Sequence, residues 1–272
     1  MTSHLLAIGG AEDKTARREI LARFVALAGG SAARIVVIPA ASAIPLELGP
    51  LYESIFSDLG AQSVSVIQIP DRAAAQTSAN LRGLDSATGI FFTGGDQTRL
   101  TGLIGGTTAH NLIRSRYTAG AVIGGTSAGA SALSATMIAY GQEGESPSMG
   151  MVQLAPGLGL LNGVIIDQHF QQRGRIGRLI SAVAFNPDVL GIGIDEDTGF
   201  LIGADSVGEV IGTGAVTVID GWEMIYTNAH ALQHGGAVSA LNLRLHVITA
   251  GGRYDLLNRA AYPPMPIPAE EN

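Results

Sequence analysis

The first half of the chain alternates short apolar runs with amphipathic segments, and this alternation leaves few folds open to it. The runs at residues 4–8, 34–38, 64–69, 89–93 and 121–123 have strand length and are mostly apolar, as buried parallel strands read. Between them, Ile20, Leu21, Phe24, Val25 and Ala28 fall on one helical face that Gly29-Gly30 terminates. Further helices are predicted at 50–59, closed by Gly60, at 73–84 and at 100–117. Strand-helix alternation predicts an α/β fold with a mostly parallel sheet and helices on both faces. Sites in such folds form in the loops at the carboxyl ends of the strands. The turns Gly9-Gly10, Gly94-Gly95 and 125–129 all belong there.

Beyond Tyr140 the pattern changes. Residues 140–163 are rich in Gly, Pro, Met and Ser and read as a long loop carrying Glu143 and Glu145. A strand at 164–170, a helix at 175–184 and a strand at 190–194 follow, the last running into Asp195-Glu196-Asp197. Short runs at 200–202, 210–211, 215–219 and 241–247 predict a C-terminal antiparallel β extension. The proline-rich tail at 263–268 reads as loosely ordered. Neither a repeat nor a linker interrupts residues 1–272, so a single domain is predicted.

The segment Ala121-Val-Ile-Gly-Gly-Thr-Ser-Ala-Gly-Ala-Ser131 carries the strongest chemical signal. An apolar strand end leads into Gly125-Thr126-Ser127-Ala128-Gly129, a G-x-S-x-G turn, and small residues follow where a helix can start. A sharp turn there lifts the Ser127 hydroxyl out of the sheet and presents the next backbone N–H, that of Ala128, to a developing oxyanion. The bland alternative is a tight strand-helix connection with a capping serine.

A serine nucleophile needs a base in reach and an acid that holds the base's tautomer. Of the six histidines, His4, His110, His169, His230, His234 and His246, only His169 follows an apolar run at a strand end, beside Asp167 and Gln168. Glu196, at the end of another strand, and Glu145, in the loop after the elbow, are both candidate acids, and spacing alone does not separate them. Arg173, Arg175 and Arg178 gather guanidinium groups in an otherwise acidic chain, a pattern suited to binding carboxylates or to a solvated helix start.

Composition removes other classes. The net charge of −7 and the absence of a basic run argue against nucleic acid. There is no cysteine, so a thiol nucleophile, a disulfide and a thiolate metal site are excluded. His230 and His234 stand four apart but lack the glutamate and third ligand of a zinc peptidase, so no metal is expected. With no Walker A loop and no G-x-G-x-x-G after a strand, no cofactor is expected either. The apolar runs are too short to cross a membrane, and no signal peptide is legible at the N-terminus, so a cytoplasmic protein is expected.

Five segments, in order, resemble the cyanophycinase branch of a serine peptidase family that also contains aspartyl dipeptidase (dipeptidase E). They are Gly9-Gly-Ala-Glu-Asp-Lys14, Phe91-Phe-Thr-Gly-Gly-Asp-Gln-Thr-Arg-Leu100, Gly124-Gly-Thr-Ser-Ala-Gly-Ala130, Asp167-Gln-His-Phe-Gln-Gln-Arg-Gly-Arg175 with Arg178, and Gly191-Ile-Gly-Ile-Asp-Glu196. The resemblance implies a flavodoxin-like, glutamine-amidotransferase-like fold and a homodimer. It implies Ser127 as nucleophile, His169 as base, Glu196 as the favoured acid, and Ala128 with the Gly94-Gly95 turn as oxyanion donors. Gln97, Asp167, Gln168, Arg173, Arg175 and Arg178 fall on its substrate-contact positions. The substrate implied is cyanophycin, a poly-aspartate with arginine on each β-carboxyl, cut to β-aspartyl-arginine dipeptides. Competing readings are an α-aspartyl dipeptidase acting on short peptides, a glutaminase, which normally needs an elbow cysteine, and a binding module without activity.

Overall fold

A computed structural model describes residues 3–264. In chain order the first half runs β1 (Leu5–Ile8), α1 (Glu19–Leu27), β2 (Arg34–Ile38), α2 (Pro45–Asp58), β3 (Ser63–Val66), β4 (Gly89–Phe92), α3 (Gln97–Ile104), α4 (Thr108–Thr118), β5 (Val122–Thr126) and α5 (Ala128–Ser131). The second half runs β6 (Thr136–Gly141), β7 (Val152–Pro156), β8 (Val164–Gln168), α6 (Ile176–Phe185), β9 (Leu190–Ile194), β10 (Thr198–Ile202), β11 (Val207–Gly212) and β12 (Ala215–Asp220). It continues with β13 (Tyr226–Thr227), β14 (Ala240–Leu241), β15 (Arg244–Thr249), β16 (Arg253–Asp255) and β17 (Ala260–Tyr262).

Among the described residues the strands form a nine-stranded sheet ordered β17-β16-β11-β10-β1-β5-β4-β2-β3, a four-stranded sheet ordered β15-β12-β9-β8, and two two-stranded ribbons, β6-β7 and β13-β14. In the larger sheet β1, β5, β4, β2 and β3 are parallel, and β10, β11, β16 and β17 extend it antiparallel. The alternation therefore yields the mixed α/β fold with a parallel centre that it predicts. The second sheet is not foreseen: β8 and β9 pair parallel to each other and carry their own antiparallel strands β12 and β15. The apolar residues Ile166, Ile192, Ile194, Val216 and Val218 of this sheet share one buried cluster with Leu5, Ala7, Ile123 and Phe200 of the larger one.

The opposite face of the large sheet is covered by α1 and α2. Phe24, Tyr52, Phe56 and Phe91 pack there with ring centroids 4.9 to 6.0 Å apart. Each such aromatic pair contributes roughly 0.5–1.5 kcal/mol beyond the area it buries. Phe24 also presses on β5: a Cβ added to Gly124 would lie 2.8 Å from its ring. The strand that leads to Ser127 is thus held flat against the aromatic cluster.

Three local expectations are corrected. Residues 73–84 form only short 3-10 turns at Ala74–Gln76 and Leu84–Ser86. Of that stretch only Ala75, Leu81 and Leu84 are buried, too few to supply a continuous apolar stripe. The single helix expected at 100–117 is two, broken at Gly105-Gly106, where Gly106 has φ +72° and Thr107 caps the second. The loop expected at 140–163 contains β7 and the end of β6, an antiparallel pair with a bulge between Ile138 and Tyr140. The tail expected at 263–268 lies outside the described residues from Met265 onward.

Candidate active site

The elbow forms where β5 runs into α5. Gly125 permits it because the turn doubles back on itself: a Cβ there would sit 2.8 Å from the nitrogen of Ala130 and closer still to Gly129. Ser127 adopts φ 53° and ψ −114°, a conformation that persists only where the surroundings over-determine it. Its backbone N–H donates to Ile8 O at 2.9 Å, which ties the turn to the end of β1. Gly94, after β4, lies against Ser127, since a Cβ on it would come 3.3 Å from the serine Cβ. Ala128 opens α5, where a helix start leaves backbone N–H groups without intrahelical acceptors.

His169 arrives from the second sheet, one residue past β8, with φ 45°. Its backbone N–H donates to Gly9 O at 2.8 Å. The ring lies on Gly10, whose φ of +101° suits glycine and where a Cβ would come 2.5 Å from Nε2. Ser127 Oγ stands 3.0 Å from His169 Nε2, and His169 Nδ1 stands 2.6 Å from Glu196 Oε1. The structure thus brings Ser127, His169 and Glu196 into one hydrogen-bonded chain. Glu145 is exposed and does not reach the imidazole; it lines a cavity of about 480 Å³ together with Phe170, Arg175, Asp195 and Val247, which neither Ser127 nor His169 borders.

Burial lowers the His169 pKa below its ordinary 6.5; the hydrogen bond to Glu196 opposes this, and the nearby Arg173 charge adds to the lowering. The imidazole is therefore neutral at pH 7, the form a general base requires. Gln168 Oε1 is a second acceptor for the Ser127 hydroxyl, at 3.2 Å. Gln172 Oε1 accepts the Glu196 N–H at 3.0 Å and steadies the backbone there.

The remaining residues separate into two groups. Arg173 is exposed, its backbone bonded to His169 O, so its guanidinium is open to a ligand beside the imidazole. Gln97 is half-buried and donates its amide to Ile138 O and Ala139 O at 3.0 and 2.9 Å, pinning β6 beside the cleft. Asp167 and Arg178 are buried and bind each other, with Nε to Oδ2 at 2.6 Å and Nη2 to Oδ1 at 2.5 Å. Arg175 is also buried, donating to Gln168 O and lying 3.5 Å from Asp167. Burial pulls the Arg175 pKa down to about 10 against the nearby Asp167 charge. Asp167 thus pairs with both arginines next to Gln168 and His169, and Arg175 also borders the cavity that Glu145 lines. His230 and His234 do not share a helix, because the chain makes only a 3-10 turn at Ala229–Ala231. Among the described residues no group of three or more His, Cys, Asp or Glu is placed to hold a metal ion.

A profile of Peptidase family S51 matches residues 5–210, most of the chain and every segment that carries the site. The chain belongs to peptidase family S51. Its similarity to curated family members extends nearly end to end. It is 46% identical to the cyanophycinase of Geminocystis herdmanii over 97% of both chains. It is 44% identical to that of Trichormus variabilis, over 95% of this chain and 87% of the relative, and 45% identical to that of Synechococcus elongatus, over 93% and 79%. Two solved structures resemble it in architecture. A peptidase from an acI-B1 Actinobacterium superposes with a TM-score of 0.69 at 22% identity, covering 94% of this chain and 97% of the other. A putative peptidase E from Listeria monocytogenes superposes with a TM-score of 0.53 at 18% identity, covering 78% and 98%. Among the described residues no helix is long and apolar enough to cross a membrane.

Sequence reasoning missed two supports of this site, Gln172 and Glu12. Glu12 stands inside the Gly9–Lys14 motif, but its buried partner Thr126 is 114 residues away, and nothing local announces the pairing.

Proposed function

We propose that this S51 peptidase hydrolyses the poly-aspartate backbone of cyanophycin and releases β-aspartyl-arginine dipeptides, with Ser127 as nucleophile, His169 as general base and Glu196 as the acid. The observation that carries the reading is the unbroken Ser127–His169–Glu196 hydrogen-bond chain at the elbow of a chain 46% identical to a cyanophycinase. His169 Nε2 takes the hydroxyl proton as Oγ attacks the aspartyl backbone carbonyl, forming a tetrahedral oxyanion. Backbone N–H groups of Ala128 and the Gly94-Gly95 turn are the proposed donors to that charge; a donor of this kind is worth about 3 kcal/mol in the transition state. The imidazolium then protonates the leaving amine, and water attacks the acyl-serine by the same route in reverse. Arg173 pairs with an aspartyl carboxylate of the substrate, while Gln97 and Gln168 fix the chain beside it. Asp167, Arg175 and Arg178, paired with one another, complete the charged side of the substrate site.

Incubation of the purified protein with cyanophycin, followed by mass spectrometry, tests the proposal. β-Aspartyl-arginine is the expected product; free arginine, or turnover confined to α-aspartyl dipeptides, would point to a different substrate. We further propose that residues 1–272 act as a single domain, as a homodimer and in the cytoplasm. Light scattering on the purified protein checks the dimer.

A further inference from the structure

The carboxylate of Glu12 is only 1% exposed, yet it takes no part in the chemistry proposed above. Burying a charge is costly unless it is paired and hydrogen-bonded. Three donors meet this one. Thr126 Oγ1 donates to Oε2 at 2.6 Å, while Tyr52 Oη and Lys14 Nζ, the latter at 3.2 Å, converge on Oε1. Burial, reinforced by the Glu12 charge, raises the Tyr52 phenol well above its ordinary pKa, so it stays protonated and remains a donor.

The position of this cluster matters as much as its satisfaction. Thr126 immediately precedes Ser127, whose backbone is held in a rarely populated conformation. Around Glu12 the main chain binds all three segments of the candidate site. Ile8 O accepts from Ser127 N, Gly9 O from His169 N and Gly10 O from Asp197 N, at 2.9, 2.8 and 2.9 Å. Asp13 N donates to Asp197 Oδ1 at 2.9 Å, next to Glu196. Residues 8–13 are thus a frame on which nucleophile, base and acid are mounted from two sheets, and Glu12 is the buried charged side chain that fastens the frame to the elbow.

We propose that Glu12 is a positioning residue: locked by Tyr52 and Lys14, it anchors Thr126 and so sets the Ser127 hydroxyl against His169. The proposal rests on the reading of Ser127 as nucleophile, but not on the identity of the polymer.

Glu12→Gln and Thr126→Val test it. The amide cannot accept from all three donors, and the valine removes only the hydroxyl that reaches Glu12. Two rates are measured on folded protein: covalent labelling of Ser127 by a fluorophosphonate, followed by intact mass, and turnover of cyanophycin. Both variants are expected to lose about 100-fold in labelling rate and in kcat, with KM within about twofold, because a displaced nucleophile misses the near-attack geometry. The acid limb of the pH profile stays in place, because His169 and Glu196 are untouched. A folded variant that labels Ser127 at close to the wild-type rate overturns the proposal, as does one that raises KM while leaving kcat intact. If Glu12→Gln does not fold, Thr126→Val, which keeps Glu12, Tyr52 and Lys14, decides alone. Wild-type protein that labels at Ser127 but leaves cyanophycin whole would refute the polymer, and the labelling comparison would still judge Glu12.

Discussion

Replacing Glu196 by Gln removes a charge while leaving an oxygen able to accept the His169 Nδ1 proton. The consequence can be sized from the geometry. With Nδ1 2.6 Å from Oε1, the imidazolium and carboxylate charges lie about 4 Å apart, which amounts to about 1 kcal/mol in water and about 4 kcal/mol at a partly shielded protein surface. The Glu196 side chain is 37% exposed, which places the interaction between those limits. At 1.36 kcal/mol per tenfold, the lost stabilisation of the imidazolium corresponds to roughly 5- to 900-fold in kcat. With the amide oxygen on Nδ1 and the tautomer held, a loss of about 50- to 100-fold is expected, below the roughly 10⁴-fold that follows when an acid-to-amide change leaves the imidazole in the wrong tautomer. The carboxylate opposes the burial that lowers the His169 pKa, so its removal should shift the acid limb of kcat/KM to lower pH. Steady-state release of dipeptide from soluble cyanophycin, measured across pH for Glu196→Gln and Glu145→Gln, is the assay. A Glu196→Gln enzyme as active as wild type, or a larger loss with Glu145→Gln, would refute the assignment.

Other substitutions probe separate parts of the account. Ser127→Ala is expected to lower turnover by about 10⁴-fold or more while leaving the circular dichroism spectrum and melting temperature near wild type. Gly10→Ala should retain the fold but lose most of kcat, because its Cβ would press on the His169 ring; crystallography of the variant would show the imidazole displaced. Arg178→Ala leaves Asp167 buried without its bidentate partner and should destabilise the protein by about 3–5 kcal/mol in urea unfolding, whereas a change in KM alone with unaltered stability would return Arg178 to the substrate. Arg173→Gln removes a charge that lowers the His169 pKa, so the acid limb should move to higher pH and KM should rise; neither change would mean Arg173 faces away from the substrate.

What the sequence made legible was what is local. Strand-length apolar runs and helical periodicity located the parallel centre, and the glycines around Ser127 marked the one turn whose backbone must fold back on itself. His169 was readable as a residue at a strand end. Its strand's membership in a separate sheet was not, because β8 and β9 look like any buried parallel pair until their partners β12 and β15 are known. The 136–156 hairpin was hidden by its glycines and methionines, and the 73–84 stretch suggested a helix through alanines that pack too little apolar surface. Asp167, Arg175 and Arg178 fall on expected substrate-contact positions, but the pairing of Asp167 with both arginines across the turn between β8 and α6 has no signal in the sequence. Glu12 had no local signal at all, since its meaning depends on Thr126, Tyr52 and the return of the chain to the end of β1.

Hydrolysis of cyanophycin in ¹⁸O-labelled water, by wild-type protein and by Ser127→Ala, bears most directly on the central claim. Mass spectrometry of the fragments should place one heavy oxygen on the α-carboxyl of the β-aspartyl-arginine released by the wild type, and the Ser127→Ala sample should yield no dipeptide. Heavy oxygen on a β-carboxyl with free arginine, or dipeptide from the alanine variant, would contradict a serine-dependent cut of the aspartyl backbone.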